Sequence, residues 1–171
     1  MDHLASESRA LALWAAGEKI SVIVGVSDSR VQDREVLAAV AEACWWLASL
    51  DEDLRDAYKE TYTRAREADS EGVLLKGIRW ARHRHSHDLL TTSRGDVRPF
   101  LYNEPEGLFY ISSAYKWRSV ESMNLQGSSA TSMPDQRERY TKLLEGNPVL
   151  PSLEAALRWL TKSVDVFSRP K

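Results

Sequence analysis

Apolar residues recur at a helical period along most of this chain and at an alternating period along one stretch only. Residues 4–17, "LASESRALALWAAG", are rich in Ala and Leu and predict a first helix that can extend through "EKISVIV". "GVSDS" at 25–29 breaks it. A second helix is expected at about 31–50, where Leu37, Val40, Ala41, Cys44, Leu47 and Ala48 share one stripe. Within that stripe Cys44 reads as a small buried hydrophobe rather than a reactive thiol. Trp46 points away from the stripe, among Glu35 and Glu42, and suggests a second packing surface. A third helix is expected over about 51–68. It is charged nearly all round, opens with Asp51, Glu52 and Asp53 at the positive end of its dipole, and reads as a solvated face.

Ser70 is placed to cap a fourth helix over about 71–91. The texture then changes. "RPFLYNEPEGLFYISSAYKWRSV" at 98–120 carries Pro and Gly punctuation and short alternations, which predict irregular structure or a β-hairpin turning at "NEPEG". Its rings, from Phe100 and Tyr102 to Tyr115 and Trp117, read chiefly as anchors of a non-helical segment, with stacking on bases as the alternative. "QGSSATSMP" at 126–134 is a loop. Asp135 then caps a short helix that Gly146 stops, and Pro148 and Pro151 lead into a last helix. On it Leu153, Ala156, Leu157, Leu160, Val164 and Phe167 form one face. The expected architecture is a single all-α domain over 1–171, a helical bundle with a short irregular or β-hairpin excursion at about 98–120 and C-terminal helices at about 135–168.

Composition narrows the class without naming a chemistry. A chain of 171 residues, 43% apolar and 28% charged, is an ordinary folded domain. A net charge of −2 argues against coating nucleic acid by bulk charge, though it leaves room for a local basic site. One cysteine cannot form an intrachain disulfide, the polar start has no signal-peptide layout, and "ISVIVGV" is too short to span a bilayer. A cytoplasmic protein without membrane attachment is expected. Gly-rich phosphate loops, G-x-S-x-G and Cys-pair metal sites are absent from the sequence.

The exception to this ordinary picture is "RWARHRHSHD" at 79–88, which holds three of the chain's four histidines. On a helix, Leu74, Ile78, Ala81, His85 and Leu89 share one side, so His85 is expected to be a hydrogen-bonded core histidine. Lys76, Arg79, His83 and His87 share another, which is not apolar and which packing does not obviously require. Arg82 stands about 140° from His87. The pair His83 and His87, at i and i+4, has metal-ligand spacing, but Arg79 and Lys76 would repel a dication and no carboxylate completes the set. No metal and no cofactor are expected. Phosphate binding by the basic face, or phosphodiester chemistry there, fits the local charge better.

Arg82-His83-Arg84-His85-Ser86-His87 reads as R-x4-H with a polar residue directly after the arginine. It resembles the motif of the HEPN superfamily, small all-helical domains of which many are ribonucleases in bacterial defence and toxin systems. The likeness covers about 5–95. It implies metal-independent RNA cleavage at a symmetric dimer interface, leaving a 2′,3′-cyclic phosphate and a 5′-hydroxyl. On that resemblance His87 is the general acid/base, Arg82 the phosphate clamp and His83 a supporting group. Arg79, Arg84 and Lys76 are expected to add electrostatic grip on RNA, and an antitoxin-like protein is a candidate partner. The alternative is a non-enzymatic helical interaction module of a bacterial regulatory or defence system, working through Trp46 or its aromatic surface.

Overall fold

The computed structural model describes residues 3–25, 33–88, 91–94, 100–104, 107–111, 115–123 and 133–167. Among them the chain is all-α with a small β excursion. The helices are α1 (His3–Gly25), α2 (Asp33–Ala68), α3 (Leu74–Asp88), α4 (Pro134–Leu143) and α5 (Val149–Phe167). Four short strands, β1 (Thr92–Arg94), β2 (Phe100–Glu104), β3 (Gly107–Ile111) and β4 (Tyr115–Trp117), separate α3 from α4.

The second helix is the centre of the molecule, packing against α1, α3 and α5. Most of the stripe read from its period is buried: Val40, Cys44, Leu47 and Ala48 are sealed, together with Val36 and Leu54, while Leu37 and Ala41 stay half-buried. Each fully buried aliphatic side chain contributes about 1.5–3 kcal/mol. Burial also pushes the Cys44 thiol far above its ordinary pKa, which keeps it inert. Ala12, Ala16, Ile20 and Ile23 of α1 close one side of α2, and Leu75, Ile78, Trp80 and Ala81 of α3 close another. On α5, Leu153, Ala156 and Leu160 are buried and Leu157, Val164 and Phe167 pack at the margin, as the period predicts.

Two boundaries differ from the sequence expectation. No break separates a second helix from a third near residue 50; α2 runs on to Lys59, which adopts φ 50° and ψ −126°. There the chain folds back. In a straight helix Asp51 and Arg66 would stand roughly 22 Å apart, yet their side chains meet at 2.9 Å. Lysine carries no turn signature, so the fold-back is invisible to a search for Gly and Pro. The cap before α3 is also shifted by one residue: Asp69, not Ser70, accepts hydrogen bonds from the Glu71 and Gly72 amides at 2.8 and 3.1 Å. Likewise Asp135 lies in the first turn of α4 behind Pro134 and makes no side-chain cap.

The hairpin expected around "NEPEG" is present. Strands β2 and β3 pair antiparallel from Phe100↔Ile111 to Glu104↔Gly107. Outside it β1 pairs with β4, Thr92 opposite Trp117. Trp117 fastens this excursion to the bundle: its amide donates to the Asn147 carbonyl at 3.1 Å, and its carbonyl accepts from Gly146 at 2.9 Å. Gly146 makes that contact at φ 75°, a conformation a side chain would strain. The buried Trp117 ring meets Tyr140 edge-on at 6.1 Å, and Tyr140 in turn lies 4.5 Å from Trp80. Anchoring is thus the role of Trp117. The side chains of Phe100, Tyr102, Phe109 and Tyr110 lie outside the described residues. Helix α4 reaches α3 closely because residue 77 is glycine: a Cβ there would meet Leu144 Cδ1 at 2.9 Å and Tyr140 Cα at 3.2 Å.

Candidate functional site

The basic side of α3 does not face open solvent. It lies along α2, and α2 answers it with carboxylates. Lys76 Nζ pairs with Glu67 at 3.1 Å. Arg79 Nη2 donates to Asp51 at 2.8 Å and its Nε lies 3.5 Å from Glu52. Arg82 Nη2 reaches the other Glu52 oxygen at 3.4 Å. The charges read as unrelated to packing are therefore one half of a seam between two helices.

Asp51 is the centre of that seam and is fully buried. Arg66 Nη1 donates to both of its oxygens at 2.9 Å, the Tyr62 hydroxyl donates at 2.8 Å, and Arg79 supplies a fourth bond. A buried carboxylate is tolerable only when opposite charge and donors replace its water, and here both do. The same cluster sets the ionisation of its members. Burial lowers the Arg66 pKa, but the charge and hydrogen bond of Asp51, with help from Glu67, outweigh it and the net shift is upward. For Arg79 burial prevails, aided by repulsion from Arg55 and Arg66, and the net shift is downward. Burial, then Asp51, drives the Tyr62 phenol far up, so it remains a neutral donor.

These contacts correct two expected roles. Arg79 is buried against Asp51, and Arg84 is 1% exposed, so neither presents a guanidinium for electrostatic grip on RNA. Burial lowers the Arg84 pKa as well. Lys76 is half-buried and engaged by Glu67. The third-helix charges, expected to be solvated, include the buried Asp51 and Arg66. The second packing surface expected at Trp46 is present: Trp46 is half-buried and packs against the core, and Lys19 of α1 pairs with Glu42 of α2 at 2.7 Å. Trp45 is the exposed ring.

What the motif keeps near the surface is Arg82, whose side chain is 27% exposed, and the half-buried His83 beside it. His85 and His87 lie in the last turns of α3, their side chains outside the described residues. The Arg82–Glu52 contact at 3.4 Å is long, and a phosphate oxygen can compete for it. The hollow between α3 and α4, about 260 Å³, is lined by Lys76, Arg139 and Lys142 but also by Asp135 and Glu138, so it has no anion-binding character of comparable clarity. Among the described residues no group of three or more His, Cys, Asp or Glu side chains is arranged to hold a metal. None of their helices is long and apolar enough to cross a membrane.

Sequence reasoning missed Asp51, Glu52 and Tyr62 as partners of the motif. A signal existed for the first. Asp51 continues the apolar stripe of Val40, Cys44 and Leu47 at spacings of four, three and four, so the period that buries Leu47 also buries it. Comparison with protein-family profiles, with curated proteins and with solved structures finds no match to this chain.

Proposed function

We propose that this chain is a HEPN-like, metal-independent endoribonuclease or RNA-binding relative of the kind found in bacterial defence and toxin systems, acting in the cytoplasm as a two-fold pair. The observation that supports this reading best is the contrast within α3. Arg79 and Arg84 are withdrawn into the fold, while Arg82 stays partly exposed next to His83 and meets Glu52 at 3.4 Å. In this scheme Arg82 grips the scissile phosphate and stabilises the charge that grows on it. One histidine takes the proton of the ribose 2′-hydroxyl as its oxygen attacks phosphorus. A second protonates the departing 5′-oxygen, and the products are a 2′,3′-cyclic phosphate and a 5′-hydroxyl. His87 is the acid/base and His83 supports it.

The test compares wild type with Arg82→Ala and His87→Ala on mixed RNA in chelator, scoring cyclic-phosphate ends. Wild-type cleavage that falls about 10²–10⁴-fold in His87→Ala, and comparably in Arg82→Ala, is the expected result. Wild type that neither cleaves nor binds RNA overturns the proposal.

A second reading is supported by a separate observation. Helix α1 turns Leu4, Leu11 and Trp14 outward, and exposed apolar faces of this kind mark interaction surfaces. A non-enzymatic helical interaction module, paired with an antitoxin-like or regulatory protein, is the reading that follows if RNA is ignored and a partner is held.

A further inference from the structure

Between α1 and α2 lies a cleft of about 180 Å³, walled by Ala12, Leu50, Trp45 and Trp46 and lined as well by Arg9 and Asp53. The two indoles stand edge to face, with ring centroids 4.9 Å apart, and Trp45 is half-exposed. A flat ring entering the cleft can therefore lie on an open aromatic surface. The volume is below the roughly 300–1,000 Å³ of a pocket for a drug-sized ligand, and it suits one ring system.

The polar pair narrows the class of ring. Arg9 is 6% exposed, its Nε donating to Asp53 at 2.6 Å and its Nη1 to the Tyr58 hydroxyl at 3.0 Å. Burial lowers its pKa, but those two bonds outweigh it and the net shift is upward, so the guanidinium stays charged. Asp53 is half-exposed. Among the described residues neither Arg9 Nη2 nor Asp53 Oδ1 has a hydrogen-bond partner. A cationic ligand would be repelled by Arg9 and an anionic one by Asp53. A neutral edge with a donor beside an acceptor answers both. Nucleobases join such an edge to a flat ring. We propose that the α1–α2 cleft is a subsite for one unpaired base of an RNA strand, stacked on Trp45 with its Watson–Crick edge toward Arg9 and Asp53.

A strand, rather than a free nucleotide, follows from the charge and the position of the cleft. Arg9 is the cation among the described lining residues, and Asp53 already neutralises it, so a phosphate finds no partner there. Asp53 directly follows Glu52, which Arg82 contacts, and the two side chains project about 100° apart on α2. A backbone crossing that turn can leave a base on one side and a phosphate on the other. The phosphate contact rests on the proposed RNA reading. The base subsite uses neither Arg82, His83 nor His87.

Two binding measurements on the full chain test it. Calorimetry with free nucleosides reads the base alone: uridine is expected to bind, and N3-methyluridine, which lacks the edge donor, at least about 10-fold more weakly. Fluorescence anisotropy with a labelled 2′-O-methyl single strand, which has no free 2′-hydroxyl to attack, reads the strand. Base pairing occupies the Watson–Crick edge, so a duplex is expected to compete poorly. Trp45→Ala should weaken the strand about 5–100-fold with an unchanged circular-dichroism spectrum. Ser49→Leu, on the cleft wall, should do the same by filling the space while keeping the indole. No uridine binding, equal binding of N3-methyluridine, or a duplex that competes as well as a single strand overturns the proposal. So does a chain that holds nucleosides but no strand, or strand binding untouched by both substitutions. Neither readout depends on cleavage, so a chain that binds strands through this cleft without cutting them supports the subsite and counts only against the nuclease.

Discussion

The α2–α3 seam and the outer side of α1 invert each other's expected chemistry. In the seam, Asp51, Arg66 and Arg79 are buried, and their charges are matched at 2.8 to 2.9 Å. On α1, leucine and tryptophan are left in water. Polarity alone therefore does not say which side of a helix faces the core here. In the seam, geometry makes charge tolerable by supplying partners, whereas on α1 the apolar groups outnumber the inner positions available to them. The first arrangement stabilises a fold only while complete. The second leaves surface for another molecule.

That contrast can be broken at its strongest point by Asp51→Ala. Arg66 and Arg79 would then be buried facing each other without the carboxylate they share, and the expected loss is about 3–5 kcal/mol. Urea unfolding midpoints measure it; a loss no larger than that of an exposed Asp56→Ala control would show the cluster to be dispensable. A smaller effect of opposite sign is expected from Lys59→Gly. The fold-back that brings Arg66 to Asp51 strains Lys59 at φ 50°, and glycine removes that strain, so stability rises by about 1 kcal/mol. Thermal melting of the variant reads the gain, and a loss would mean that the turn is not strained. The smallest effect concerns the seam's outer edge. Burial raises the Glu67 pKa, but hydrogen bonds from Lys76 and Arg66 outweigh it and the net shift is below the ordinary 4.5. A carboxylate with a depressed folded pKa adds stability that is present above its unfolded value and lost as pH falls through the folded one. The stability gap between wild type and Glu67→Gln should accordingly be a few tenths of a kcal/mol near neutrality and close below about pH 4.5. Melting curves through the acid range would show a constant gap if Glu67 is not so held.

Much of the fold was legible because it rests on local signals. The α5 face, the burial of Cys44 and the hairpin around residues 104 to 107 follow from helical period, stripe position and turn residues. The candidate site was legible only in its location. That Arg79 and Arg84 would be buried could not be read from α3 alone, since their burial depends on what lies across from them. Asp51 sits 28 residues from Arg79, and the fold-back that completes its shell turns on a lysine. Trp45 and Trp46 are adjacent in sequence, and which of them is covered depends on where α1 docks.

The two-sided apolarity of α1 has a consequence of its own. Hydrophobicity cannot tell such a helix which way to turn, so the choice falls to size. Around Ala12 and Ala16 small side chains let α2 close in, and Trp14 and Leu11 are too bulky for that gap and stay outside, whereas farther along the helix Ile20 and Ile23 are the buried residues. The sorting by bulk leaves the outward residues free to vary without altering how α1 sits on α2. Redrawing that outer stripe alone would change what the surface offers to its surroundings and leave the inner packing untouched.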